Sequence, residues 1–309
     1  MIQSVVTLRG PTASGKTDLA ITLSDRLPIE IISVDSVMVY RGLNIGSAKP
    51  DQKTLNNYPH HLIDICDPSV NYSLGDFYED ANEAIRLIHS KERIPMLVGG
   101  TMMYFNALTK GLSDLPSSDQ AIRKKLEDEA DEIGWPELHK RLSKIDPVSG
   151  EKIEANDKQR IQRAMEVYEL SGKPLSSFFQ DNRKNSDYRF FNINLFPDDR
   201  QSLYERIESR FNQMLELGLI DEVKRLLNQS ELTSSHNSMK SIGYKEICAY
   251  LEGKQTLIEA KEKSTLATRR LAKRQLTWLR SLDDCDKLNT FDNDLDKKLY
   301  NLISKKINL

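Results

Sequence analysis

Gly10-Pro11-Thr12-Ala13-Ser14-Gly15-Lys16-Thr17 matches the pattern G-x-x-x-x-G-K-[ST] at every fixed position, and its flanks decide the fold. The apolar run Val5 to Leu8 before it reads as a buried strand, and Asp18 to Arg26 after it as a helix. That is the strand, loop and helix context the pattern requires. Gly10 and Gly15 let the backbone come close to an anion, the N–H groups and dipole of the helix start favour negative charge, and Lys16 adds a point charge. Thr17 is placed to hold a Mg2+ ion or a phosphate oxygen. The motif therefore names a di- or triphosphate as ligand.

Working outward, a second β-branched run, Ile29 to Val34, ends on Asp35, and a third, Pro95 to Val98, ends on Gly99-Gly100-Thr101, with the amphipathic stretch Asp76 to His89 between them. Strands alternating with helices predict an α/β fold: a P-loop NTPase-like parallel sheet flanked by helices, with ligands outside the carboxyl ends of the strands. Asp35 and Thr101 are expected beside the phosphate loop. From 116 to 188 the texture becomes charged and helix-periodic, with Ile122, Leu126, Ala130 and Ile133 on one face and breaks at Trp135-Pro136, Asp146-Pro147 and Gly172-Lys173-Pro174. This predicts an all-helical insertion at 116–188 in a core made of 1–115 and 189–309. Phe190 to Phe196 then restores the sheet, and a helix follows with Leu203, Ile207, Phe211 and Met214 on one stripe and Gly218 as its stop.

Composition narrows the class. Among 309 residues, 44 Lys+Arg face 46 Asp+Glu for a formal net charge of -2, so a polyanionic partner must be met by a local patch. The chain starts directly in its first strand without a cationic leader, and no apolar run approaches the ~18 residues of a membrane span. A cytoplasmic protein with no membrane association is expected. Cys66, Cys248 and Cys285 are odd in number and form no C-x-x-C pair, which predicts reduced structural thiols. His60 and His61, after Pro59, are read as structural.

Three features carry chemistry. Asp35 follows a strand, where a carboxylate serves as Mg2+ ligand, general base or helix cap, and position alone leaves all three open. The strand before Gly99 lacks the closing Asp of a motor ATPase, which argues against ATP hydrolysis and for a transferase that uses the loop for another phosphorylated substrate. The Thr101 hydroxyl either satisfies its own turn or faces the ligand. On the late helix, Thr265 to Leu282, a wheel puts Ala267, Leu271, Trp278 and Leu282 on one face and Arg269, Lys273 and Arg280 on the opposite one, with Arg270 and Arg274 on a flank. A solvated face and a phosphate-backbone contact both give such a stripe. Two further basic segments, Lys158-Gln159-Arg160-Ile161-Gln162-Arg163 and Lys240-Ser241-Ile242-Gly243-Tyr244-Lys245, shift the balance towards RNA.

These motifs together, Gly10 to Thr17, Asp35-Ser36 with Tyr40-Arg41, Pro59-His60-His61-Leu62-Ile63-Asp64, Val98-Gly99-Gly100-Thr101, Asn156-Asp157 with Gln159-Arg160, Gly243-Tyr244, and Arg269-Arg270-Leu271-Ala272-Lys273-Arg274-Gln275 with Trp278, resemble the bacterial tRNA dimethylallyltransferases over nearly the whole chain, up to about Leu282. The resemblance implies transfer of a dimethylallyl group from dimethylallyl diphosphate to N6 of the adenosine 3' of the anticodon, in tRNAs reading codons that begin with U. It implies that Asp35 is the general base, that Thr101 bonds the bridging oxygen of the diphosphate, and that Arg210 contacts the diphosphate, with Arg206 in reserve. It implies Mg2+ as cofactor, with Thr17 as ligand. The implied tRNA contacts are Asp35-Ser36-Val37-Met38, Arg123, Gln159 to Arg163, Lys240 to Lys245, and Lys273-Arg274-Gln275-Leu276-Thr277-Trp278-Leu279-Arg280. The target adenine is expected to be flipped into a channel through the core, the insertion to grip the anticodon stem-loop, and the enzyme to be a monomer. Eukaryotic relatives carry a C-terminal zinc finger, for which this chain has no cysteines. The rival functions are a small-molecule kinase using ATP and a nucleotide-dependent RNA-binding protein.

Overall fold

A computed structural model describes residues 3–179, 188–228 and 231–307. It divides into two compact units, Met1–Thr109 with Asp187–Leu309, and Lys110–Ser186. The insertion was expected to run to 188, but Tyr188 already begins a strand, and 180–187 lie outside the described residues.

The first unit is built on a parallel sheet of β1 (Gln3–Arg9), β2 (Ile29–Val34), β3 (His60–His61), β4 (Ile94–Gly99), β5 (Tyr188–Phe196) and β6 (Asp286–Asn289), in the order β3-β2-β4-β1-β5-β6. The four inner strands are the β-branched or aromatic runs, whose side chains fit a pleated surface buried on both faces. The edge strands have no such signal: β3 is two histidines and β6 is Asp-Lys-Leu-Asn. Side chains alternate between faces. Val5, Ile32, Val34 and Leu97 pack with Phe77, Phe105, Ala272 and Leu276, while Val6, Leu8, Ile31 and Met96 pack with Leu23, Leu299 and Ile303 on the other side.

Register positions the site. Arg9 pairs with Gly99, and Gly99 with Val34, so β1, β4 and β2 end in one row. Gly10, Gly100 and Asp35 leave the sheet from that row. Gly99 is required there: a Cβ would lie 2.0 Å from the Val34 carbonyl oxygen. The expected helix 76–89 spans Leu74–Ser90 and starts in a capping box between Ser73 and Asp76. The helix after β5 is Arg200–Glu216, with Leu203, Ile207 and Phe211 buried as its spacing predicts.

The late helix corrects the wheel. It runs Leu257–Arg280 and buries Ala260, Ser264, Thr265, Ala272, Gln275, Leu276 and Leu279. Trp278, expected on the apolar face, is exposed. Three of the seven buried positions are polar, so a count of apolar residues turned the predicted face away from the real one.

The second unit consists of helices Gln120–Ile133, Trp135–Ile145, Pro147–Lys152 and Lys158–Ser171 and the turn Leu175–Phe179. Asp119, Asp146 and Asp157 cap three of the helices with side-chain oxygens. Its own core holds Leu126, Ala130, Leu138, Leu142, Ile161 and Met165. Ile133, expected on the buried face, is exposed, because Gly134 ends its helix there with φ +86°.

Candidate active site

The phosphate loop is held open by its backbone. Ala13 has φ 63° and Gly15 φ 75°, and two left-handed residues so close together curl the chain into a concave turn. Gly15 ends it as the N-cap of helix Lys16–Ser24, with no side chain capping that helix. Gly10 N donates to Gly99 O at 3.4 Å and Thr12 N to Gln275 Oε1 at 2.9 Å. The N–H groups from Ala13 to Asp18 donate to no group of the described chain, leaving a set of donors at a helix start for an anion.

Lys16 is buried and lies along the loop, its Nζ donating to Pro11 O at 2.5 Å and Ser14 Oγ at 3.2 Å. Burial first, and then repulsion from Arg210, push its pKa down to about 7, against attraction from Asp35. Lysine, arginine and carboxylate thus act on one another at the loop, although 19 and 194 positions separate Lys16 from the other two. Arg210, on helix Arg200–Glu216, has its own pKa lowered by burial, with Asp18 opposing and Arg206 adding to the shift. The reserve choice, Arg206, is committed elsewhere: its guanidinium lies 4.6 Å from the centre of the Phe291 ring.

No helix begins directly after Asp35, which holds a turn with one oxygen instead of capping a helix. Its Oδ1 accepts from Val37 N at 2.8 Å and Met38 N at 3.1 Å, and no donor among the described residues takes Oδ2. Two N–H bonds fix the carboxylate's direction and leave one oxygen to receive a proton or a donor. Thr101 N donates to Val34 O at 3.3 Å, and Thr101 O accepts from Tyr104 and Phe105 at the start of helix Met102–Lys110. The Thr101 hydroxyl has no partner among the described residues, so it does not satisfy its own turn.

Two roles escaped the sequence reading: Gln275 was assigned to the RNA, and Tyr104 was given none. Gln275, only 8% exposed, accepts from Thr12 N and donates through Nε2 to Gly100 O at 2.8 Å, so it ties the phosphate loop to the end of β4. Tyr104, stacked on Phe77 at 3.9 Å between ring centres, has its hydroxyl pKa raised by burial and by the nearby Tyr40 and Asp35. Its position in Gly99-Gly100-Thr101-Met102-Met103-Tyr104, one helical turn past Thr101, was the available signal.

The segments assigned to RNA divide by exposure. Arg270, Lys273, Arg274, Thr277, Trp278 and Ser281 line a groove of about 550 Å³, and the four cations Arg270, Lys273, Arg274 and Arg280 form no ion pair among the described residues. Arg269, counted in the same stripe, instead bonds Glu208 at 3.0 Å and lies over Tyr204. Gln275, Leu276 and Leu279 are core. In Lys240 to Lys245 the two lysines are exposed, Ser241 and Ile242 half-buried, and Tyr244 wholly buried, its hydroxyl donating to Glu222 at 2.6 Å. In the helical unit Gln159 and Arg160 are exposed, whereas Ile161 is core. Arg123 and Arg163 both bind the buried Glu166, at 2.9 and 2.6 Å, and Gln162 donates to Arg123 O. Ser36 is exposed, and Val37 and Met38 are half-buried.

Metal, thiol and histidine expectations have their own geometry. No cluster of three or more His, Cys, Asp or Glu suited to a metal exists among the described residues. His60 pairs with Tyr58 O and His61 with Glu30. The three cysteines are free, and burial pushes the Cys248 thiol up to about 11. No helix of the described residues is long and apolar enough to cross a membrane.

Comparison with known proteins identifies the family. A family model described as IPP transferase matches residues 38–282. The tRNA dimethylallyltransferase of Coxiella burnetii strain RSA 493 is 51% identical over 292 residues, covering 94% of each chain. That of Nitrosomonas europaea is 47% identical over 298 residues, covering 96% of this chain and 94% of the relative. Among solved structures, the tRNA isopentenylpyrophosphate transferase of Bacillus halodurans superposes with a TM-score of 0.72 at 39% identity, over 99% of this chain and 97% of the other. A eukaryotic dimethylallyltransferase acting on tRNA superposes at 0.82 with 27% identity, over 98% of this chain and 79% of its own length. With a family model across most of its length and relatives of half-identical sequence end to end, the chain belongs to the tRNA dimethylallyltransferase family of IPP transferases.

Proposed function

We propose that the protein transfers a dimethylallyl group from dimethylallyl diphosphate to N6 of the adenosine 3' of the anticodon in tRNAs reading codons that begin with U, and releases diphosphate. The observation that carries this is the row of strand ends where unpartnered loop N–H groups, Lys16, Arg210, the free Asp35 oxygen and the free Thr101 hydroxyl meet. Such a site stabilises the negative charge that develops on a leaving diphosphate and takes up a proton.

In the reaction, the bond between the allylic carbon and the bridging oxygen breaks, and its electron pair stays on the diphosphate. The loop N–H groups, Lys16 and Arg210 hold that charge, and the Thr101 hydroxyl donates to the bridging oxygen as charge develops there. The N6 lone pair forms the new bond to carbon. Asp35 Oδ2 accepts the N6 proton, its direction fixed by the two bonds to Oδ1. Mg2+ fits the donor set: the Thr17 hydroxyl is unpartnered among the described residues, and a hard cation with few protein ligands is completed by substrate phosphate oxygens. Bound there, it would supply further neutralisation of the diphosphate.

For the RNA, the unpaired cations and exposed Trp278 of the groove suit a phosphate backbone and a stacked base, and Lys240, Lys245, Gln159 and Arg160 add exposed polar groups. The helical unit would grip the anticodon stem-loop, and the adenine must leave its stack to reach Asp35. The protein would act as a monomer, in the cytoplasm where its RNA is. The test is incubation of the protein with Mg2+, unmodified tRNA and radiolabelled dimethylallyl diphosphate, followed by nucleoside analysis. Label on N6 of the adenosine beside the anticodon is expected. Turnover of ATP without label would favour a kinase, and tRNA bound but unlabelled a binding protein.

A further inference from the structure

Gln275 joins the phosphate loop to the end of β4 from within the helix that lines the groove. Its neighbours Lys273 and Arg274 are exposed on the groove, while its own carboxamide is turned inward, Oε1 accepting from Thr12 N at 2.9 Å and Nε2 donating to Gly100 O at 2.8 Å. The contact is close-fitting: a Cβ on Gly100 would come within 2.4 Å of Gln275 Nε2. Only a primary amide of this length accepts at one end and donates at the other, so the position is chemically specified rather than merely filled.

The consequence is mechanical. Thr12 lies in the loop whose next N–H groups are free for the diphosphate, and Gly100 precedes Thr101, whose unpartnered hydroxyl is the proposed donor to the leaving group. A displacement of the late helix by a ligand on its exposed side reaches both through one residue. A second link runs the same way: Arg269 of this helix bonds Glu208 on helix Arg200–Glu216, which also carries Arg210.

We propose that Gln275 is a positioning residue that couples RNA on the outer face of helix Leu257–Arg280 to the diphosphate loop, so that each ligand tightens the other. The inference rests on the proposed function and deepens it: the two substrates bind cooperatively rather than independently. The coupling is reciprocal by linkage.

The probes are inorganic pyrophosphate with Mg2+ and an unmodified anticodon stem-loop RNA, with the full chain. In the wild type the pyrophosphate Kd is expected to fall about 5- to 10-fold when the RNA is saturating, a usual size for coupling between sites. In Gln275→Met, which keeps the side-chain length but neither hydrogen bond, that factor is expected to shrink to about one while the RNA Kd stays within about twofold. A merely structural role would lower thermal stability and leave the factor intact. Wild-type coupling retained in Gln275→Met, or two independent affinities in the wild type, would overturn the proposal. Absence of any pyrophosphate binding by the wild type would instead overturn the diphosphate reading, and the coupling with it. Should Gln275→Met fail to fold, hydrogen exchange of the wild type decides: the Thr12 amide is expected to exchange several-fold more slowly with the RNA bound, and an unchanged rate refutes the coupling.

Discussion

At Asp35 the two carboxylate oxygens differ. Oδ1 holds the turn through Val37 N and Met38 N, and Oδ2, without a partner among the described residues, is the atom the proposed base role needs. Asp35→Asn keeps an acceptor for the turn and removes the base. It is expected to slow single-turnover transfer by about 10²- to 10⁴-fold with little change in tRNA affinity, and an unchanged rate would take Asp35 out of the chemistry. Lys16 makes a pH prediction. Burial, then Arg210, hold it at about 7, and a bound diphosphate raises that value by adding negative charge. The lysine's contribution to binding is therefore complete below pH 7 and declines above it, by up to about tenfold per pH unit. Calorimetry from about pH 7.5 to 9 should show proton uptake and a rising Kd for dimethylallyl diphosphate, and Lys16→Arg should flatten that dependence. Asp35 and Thr101 were legible because strand ends are marked in sequence by where apolar runs stop. Gln275 was not, since its partners lie 263 and 175 positions away and only the folded chain brings them together.

The late helix shows what an element hides from its own sequence. The wheel joins Arg269 to Lys273 and Arg280 in one stripe, with Arg270 and Arg274 on a flank, yet Arg269 is spent on Glu208 and Tyr204, while the other four remain unpaired among the described residues. Ser264, Thr265 and Gln275 on the buried side break the apolar period from which a wheel takes its direction, so Trp278 was placed inward when it lies on the groove. The distinction is measurable. Lys273→Ala should weaken tRNA binding and reduce the slope of log affinity against log salt by about 0.7 to 0.9, the share of one phosphate contact. Arg269→Ala should leave that slope near the wild-type value and loosen the packing of the helix on Arg200–Glu216 instead. Equal slopes for wild type and Lys273→Ala in filter-binding titrations would remove the late helix from the RNA.

Across the whole molecule, two units with separate cores are each organised around a buried acid that hydropathy gives no reason to place inside. In the sheet unit Glu222 accepts from the backbone N–H groups of Asn44, Ile45 and Gly46 and from Tyr244. In the helical unit Glu166 accepts from Asp119 N, Arg123 and Arg163. The parallel sheet was readable from its four inner strands, but the acids were not, because charged residues on helices are ordinarily solvated. For Glu166, burial alone would raise the pKa, yet bonds from Arg123 and Arg163 hold it below the usual carboxylate value. The sign of the linkage follows. Its stabilisation is fully present above the ordinary glutamate pKa and is lost as pH falls through the lowered one, so the helical unit should be the more acid-sensitive for it. Glu166→Ala removes the buried acceptor shared by two partly exposed arginines and Asp119 N and is expected to destabilise this unit by about 1 to 3 kcal/mol. Trp135 packs against its core, and with Trp278→Phe as background it is the sole tryptophan reporter. Its fluorescence should report a lowered melting transition in Glu166→Ala, while pyrophosphate binding by the loop, whose named ligands all lie in the sheet unit, persists at temperatures below that transition. A melting curve unchanged from the Trp278→Phe background would mean that Arg123 and Arg163 are as well satisfied by water as by Glu166, and would free both for the RNA.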